Sequence, residues 1–129
     1  MRAAIAEDDA GAGQRYATLT LRNAGSTRCT VAGYARLQLL TGSGAAIPTR
    51  VVPAGPGRPV TLRPGARATA QLHWSTVPGP GDPSADRCPA TPSRVRVVPG
   101  GDAGPVTIGW DLGPVCGGGR IDAEALRAG

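Results

Sequence analysis

Apolar positions in this chain recur at every second residue, in short runs separated by turn formers. The clearest run follows the Pro64-Gly65 turn, where Ala68, Ala70, Leu72 and Trp74 alternate with Arg67, Thr69, Gln71 and His73. A period of two sends one set of side chains into a core and the other to solvent, which predicts a half-buried strand. Tyr16 to Arg22 repeats the pattern, with Ala17, Leu19 and Leu21 inward and Thr18, Thr20 and Arg22 outward. Leu37 and Leu39 belong to another inward series, and Val95 and Val97 alternate with Arg94 and Arg96. Val106, Ile108 and Trp110 alternate with Thr107 and Gly109. Ala3 to Glu7, Cys29 to Val31, Ile47 to Val52 and Val60 to Leu62 read as shorter extended segments, and Ile121, Ala123 and Ala125 close the series. No segment sustains a 3.6-residue period, so no helix is predicted.

The intervening residues punctuate these runs. Asn23-Ala24-Gly25-Ser26 and Thr41-Gly42-Ser43-Gly44 read as turns, since Asn and Gly tolerate positive φ. The proline-rich stretch from Pro53 to Pro59 suits an edge or a loop, where a missing N–H costs no ladder bond. Val77 to Ser93 holds five prolines and reads as one long loop around Cys88. The acidic, glycine-rich Glu7 to Gly13 reads as a solvated hairpin connection, because its spacing does not match a calcium loop. Roughly nine short strands at about ten-residue spacing predict an all-β chain, a single β-sandwich over residues 1–129 of immunoglobulin-like or Greek-key type. A closed barrel is the alternative, and no internal repeat points to a propeller or solenoid.

Composition changes this picture in one respect. The 129 residues include no Phe, two Trp and two Tyr, so the core must come from Leu, Val, Ile and Ala and has little volume per position. A domain built this way needs a further contributor, for which a disulfide is the natural candidate. All 14 basic residues are Arg and the net charge is +5. The arginines are scattered along the chain, which predicts a solvated basic surface and no dedicated anion site. No stretch is long and apolar enough to span a bilayer, and Met1 to Arg15 lacks the apolar core of a signal peptide. Three readings stay open at this point: a leader has been removed, the start lies inside a longer protein, or the protein is cytoplasmic.

Cys29, Cys88 and Cys116 are an odd set. Pairing Cys88 with Cys116 would tie the long loop to the segment before the last strand, and closing such a loop is worth about 3–4 kcal/mol in the chain-entropy model. Cys29 is then an unpaired thiol. Three cysteines and His73 also match the ligand count of a Cys3His zinc site, but no C-x2-C pair exists and the ligands are spread over four parts of the chain. His73, the single histidine, falls on an outward strand position, with no G-x-S-x-G elbow elsewhere and nothing to place it beside Cys29 as a dyad. The expectation is no catalytic residue, no metal and no cofactor. Gly117-Gly118-Gly119 precedes a strand and lacks the Lys and Ser or Thr of a phosphate-binding loop. Copper handling wants clustered Met and His, and only Met1 and His73 are present. Nucleic-acid binding is not expected either, because both tryptophans fall on inward positions.

Several segments in order resemble one family. Gly13-Gln14-Arg15-Tyr16, Leu19-Thr20-Leu21-Arg22-Asn23-Ala24-Gly25 and Cys29-Thr30-Val31-Ala32-Gly33-Tyr34 are similar to the opening of DUF4232 domains. Val60-Thr61-Leu62-Arg63-Pro64-Gly65, the run to Leu72-His73-Trp74, the isolated Cys88, Val95-Arg96-Val97 and Val115-Cys116-Gly117-Gly118 continue the likeness. The resemblance implies a β-sandwich from an actinobacterial exported protein or lipoprotein, with four cysteines in two disulfides and no established activity. Two positions depart from the family pattern: a further cysteine upstream of the first strand is absent, and Ala35 stands where a proline follows Gly-Tyr. The absent cysteine would be the partner of Cys29, which implies a truncated N-terminus. The expectation is therefore a secreted or cell-envelope binding or structural module without catalysis, with another envelope protein or an anionic cell-surface polymer as partner. The surfaces to inspect are the long loop, the Arg94 and Arg96 face, and His73. An accessory domain of an envelope enzyme, or a basic anion-binding module, is the alternative.

Overall fold

Period-two alternation becomes strand wherever it is sustained. The computed structural model, which describes residues 1–129, holds eleven strands and no helix. They are β1 (Arg2–Gly11), β2 (Gln14–Arg22), β3 (Cys29–Val31), β4 (Arg36–Leu40), β5 (Arg50–Ala54), β6 (Val60–Leu62), β7 (Arg67–Ser75), β8 (Arg94–Val98), β9 (Val106–Gly109), β10 (Arg120–Glu124) and β11 (Arg127–Ala128). The large sheet runs β1-β2-β7-β10-β5, with β11 also on β7, and the facing sheet runs β4-β8-β9. The orders β1-β2-β7 and β4-β8-β9 are those of strands A-B-E and C-F-G in an immunoglobulin-like sandwich. Here β10 returns to the large sheet and inserts between β7 and β5, pairing parallel to β5. The small β3–β6 pair extends β2 and β7 beyond a break. A cluster of 21 buried apolar residues draws on both main sheets, so they share one core.

Volume in that core is balanced across the β2–β7 ladder. Ala17 faces Leu72, Leu19 faces Ala70, and Leu21 faces Ala68. Each inward pair thus joins one large and one small side chain, and the layer keeps an even thickness for Leu37, Leu39, Val95 and Val97 of the other sheet to pack on. The two tryptophans meet between the sheets, Trp74 of β7 against Trp110 after β9, with ring centroids 5.1 Å apart. Trp110 Nε1 donates to Gly113 O at 2.9 Å, whereas Trp74 Nε1 is buried without a partner.

Three expectations from the sequence shift. The acidic segment from Glu7 is strand as far as Gly11, and the chain reverses only at Ala12 and Gly13, both at positive φ (50° and 79°) as a primed two-residue hairpin turn requires. A register shift between Glu7 and Asp9 bulges this strand, Glu7 pairs with Arg15 at 3.1 Å, and Asp8 accepts from Thr18 Oγ1 at 2.6 Å. Acidic side chains fit here because β1 is an outer strand, exposed on both faces at this end. Second, strand β5 begins at Arg50, three residues after Ile47. Ile47 is buried, but its N–H donates to Leu39 O at 2.9 Å and its carbonyl accepts from Gln38 Nε2 at 2.7 Å, so it lies in an irregular segment against β4. Pro53 is accommodated because β5 is an edge strand. Third, the last inward position is Leu126, with Ala125 only half-buried outside the strand.

Asn23 closes the break between the β2–β7 and β3–β6 pairings. It is 4% exposed, and its polar groups are used inside the protein. Its N–H donates to Ala66 O at 3.0 Å and its carbonyl accepts from Gly65 N at 2.7 Å. Nδ2 donates to Thr27 O (2.8 Å) and Leu62 O (3.0 Å), and Oδ1 accepts from Gly25 N at 3.0 Å. Substituting Asn23→Ala strands Thr27 O, Leu62 O and Gly25 N, and urea unfolding is expected to show a loss of about 2–3 kcal/mol. An unchanged midpoint would mean that water replaces the side chain without cost.

Candidate functional site

The strand register determines what the large sheet shows to solvent. Along β7 the outward residues Arg67, Thr69, Gln71 and His73 stand opposite Arg22, Thr20, Thr18 and Tyr16 of β2. His73 is also directly opposite Asp122 of β10, so three strands place Tyr16, His73 and Asp122 in one row. The Tyr16 ring stacks on the imidazole, with centroids 4.6 Å apart and planes 24° apart. His73 Nδ1 lies 3.4 Å from Asp122 Oδ2, and Nε2 faces Gln14 Oε1. The second oxygen of Asp122 accepts from Arg120 Nε at 2.9 Å. Shallow concavities flank this row, one of about 190 Å³ beside Tyr16, Gln71 and Glu124 and one of about 320 Å³ beside Gln14, Ser75 and Arg120. Both imidazole nitrogens face protein oxygens, and neither faces a hydroxyl or a thiol. The array offers fixed polar groups for recognition at a half-exposed site, where an ion pair contributes little to stability.

The long loop leaves β7 at this end and is held without strand pairing to either sheet. Cys88 is bonded to Cys116, with Cα atoms 5.0 Å apart, as the sequence led us to expect. The second fastening is Asp82. Its Oδ2 accepts from Gly79 N (2.7 Å) and Gly117 N (2.8 Å), and its Oδ1 accepts from Gly118 N (2.8 Å). Gly117, Gly118 and Gly119 all sit at positive φ (70°, 72° and 85°), a conformation that turns successive amides toward a common point and makes an anion nest. Desolvation works to raise the Asp82 pKa, but the three amide donors outweigh it and hold the carboxyl below its ordinary value. The sulfurs of Cys88 and Cys116 and an Asp82 oxygen lie within 4.8 Å of one another. The sulfurs are joined and the carboxylate accepts from three amides, so this donor set serves the fold.

Other singled-out residues are dispersed. Arg94 and Arg96 project from β8, on the outer face of the opposite sheet, across from Leu40 and Gln38 of β4. They and His73 therefore form two separate surfaces on opposite sides of the sandwich. Cys29 is a free, half-buried thiol in β3, opposite Leu62 and at the far end of the fold from His73. Two features escaped the sequence reading. The first is the amide nest at Gly117 and Gly118: the run of three glycines is a signal for one whatever residues follow it, but nothing local marks Asp82 as its occupant. The second is a row of arginines: Arg2, Arg22 and Arg67, far apart in sequence, are directly paired across β1, β2 and β7. The scattered distribution expected from sequence is corrected here, because cross-strand register collects residues that linear spacing separates.

Two outcomes follow for the loop. The folded pKa of Asp82 is lowered from 3.8, so its stabilisation is complete above that value and is lost as pH falls through the folded pKa. Exchange rates of the Gly117 and Gly118 amides, referenced to loop amides away from the nest, are expected to rise on acidification below about pH 4 in the wild type. In Asp82→Asn they should be fast already at neutral pH and lack this transition; matching profiles would remove Asp82 from its role. Cys88→Ser with Cys116→Ser is expected to lower unfolding free energy by about 3–4 kcal/mol in denaturant titrations.

No curated protein and no solved structure matches the chain. A family model described as domain of unknown function (DUF4232) matches residues 1–129, and with the sandwich and the Cys88–Cys116 bridge in place the chain belongs to that family.

Proposed function

We propose that this chain is a non-catalytic binding module of an exported or cell-envelope protein, working through the outer face of its large sheet. The observation that carries the reading is the Cys88–Cys116 disulfide. It pins a loop that has no strand pairing to the sheets, in a core with no Phe, and such bonds persist in oxidising compartments. The actinobacterial exported setting implied by the family resemblance agrees with this. Recognition is supported by the row Tyr16, His73 and Asp122, whose side chains are fixed by neighbours on three strands and by the loop fastened beside them. Rigid scaffolds presenting polar groups and a tethered loop are a common basis for binding.

Mass spectrometry of the native gene product from fractionated cells tests the proposal. The expected result is an oxidised Cys88–Cys116 pair in the culture fluid or envelope fraction, with leader cleavage or lipid attachment at the N-terminus. A cytoplasmic product with both cysteines reduced overturns it.

A further inference from the structure

The end of the large sheet remote from His73 carries the arginine row. Arg2 of β1 is paired with Arg22 of β2, and Arg22 with Arg67 of β7, so three guanidinium side chains leave one face of the sheet in neighbouring positions. Adjacent strands are about 4.8 Å apart, and like charges set directly opposite each other oppose folding. None of the three forms an ion pair; the carboxylates that do, Glu7 with Arg15 and Asp122 with Arg120 and His73, lie elsewhere. The next outward row is Ala4 and Thr20, small residues that leave a hollow below the arginines. The result is a concavity of about 360 Å³ lined by Arg2, Ala3, Ala4, Thr20, Arg22 and Arg67. Arg127 of β11, opposite Thr69, extends the positive charge on the same face.

We infer that this concavity is a binding site for phosphate groups of a polyanionic ligand. Three guanidinium forks and the Thr20 hydroxyl offer donors from several directions. The oxygens of a phosphate group are set tetrahedrally and accept from donors above and beside it, whereas the two oxygens of a carboxylate lie in one plane. The volume admits more than one phosphate group, which favours a linked series over a single ion. Binding also neutralises the repulsion built into the row, so ligand and fold are thermodynamically linked. The site gives a ligand class to the binding role proposed above and rests on that reading for the source of the ligand. The chemistry itself is tested on purified protein, so its failure is distinct from failure of the export assignment.

Tripolyphosphate is the probe, followed by isothermal titration calorimetry at low salt and by thermal unfolding. Saturable binding, weakening steeply with added salt, and an increase in Tm are expected. Arg22→Gln and Arg67→Gln should each weaken binding by about tenfold or more, the consequence of losing a charge-assisted contact. In the absence of ligand, Arg22→Gln should raise Tm by about 2–5 °C, because the central charge of the row is removed. Arg94→Gln with Arg96→Gln removes charge from the opposite sheet and should leave affinity within about twofold, since those residues lie outside the site. Equal weakening by that double variant would reduce the effect to net charge and overturn the site. Absence of saturable binding also overturns it, and polyglutamate binding as tightly as tripolyphosphate overturns the phosphate assignment. Near-ultraviolet dichroism of the Trp74 and Trp110 pair reports whether each variant is folded.

Discussion

The register of β2 against β7 is the constraint from which the rest of the molecule follows. Nine consecutive positions are paired, from Gln14 with Ser75 to Arg22 with Arg67. A slip of β2 by one residue would send Ala17, Leu19 and Leu21 to solvent. A slip of two would keep the faces but, in one direction, set Leu19 against Leu72 and, in the other, Ala17 against Ala70, crowding the layer or leaving a gap in it. Close packing in a core without Phe leaves little room for such an error. The same register, read on the outer face, places Tyr16 on His73 and Arg22 beside Arg67. Core packing and surface chemistry are two sides of one ladder.

Around this ladder, polar side chains perform structural tasks that a larger apolar core would make unnecessary. Asn23 joins two strand pairings where the ladder breaks, and Asp82 fastens a loop by occupying a nest of glycine amides. The Cys88–Cys116 bond fixes the same loop covalently. The arrangement is not free of cost, since Trp74 Nε1 is buried without an acceptor, a loss of about 1–3 kcal/mol by analogy with other buried donors. Trp74 nevertheless occupies this position because its ring meets Trp110 across the sandwich and supplies volume that aliphatic residues could not.

The two ends of the exposed face of the large sheet differ in charge. One end carries Arg2, Arg22, Arg67 and Arg127, and the other carries Asp122 and Glu124 around His73 and Tyr16, with Arg120 paired to Asp122. The tethered loop adds shape only at the His73 end. Arg94 and Arg96 project from the other side of the sandwich and belong to a different surface.

Alternation of apolar and polar residues was sufficient to identify the strands β2, β4, β7 and β8 and the inward set within them, because a side chain's face on a strand is fixed by local geometry. The family likeness and the Cys88–Cys116 pairing were also legible, through ordered motifs and the need to anchor a proline-rich loop. Local pattern was weakest where the backbone is irregular: the acidic strand beyond Glu7 looked like a connection because its residues are polar on both faces, and Ile47 looked like strand because it is apolar. Which strands lie side by side is decided by tertiary packing, since hydrogen bonds between strands carry no record in linear spacing. For that reason the composition showed only a basic protein with scattered arginines, and the fold alone brought Arg2, Arg22 and Arg67 together and set Asp82 among the amides of Gly117 and Gly118.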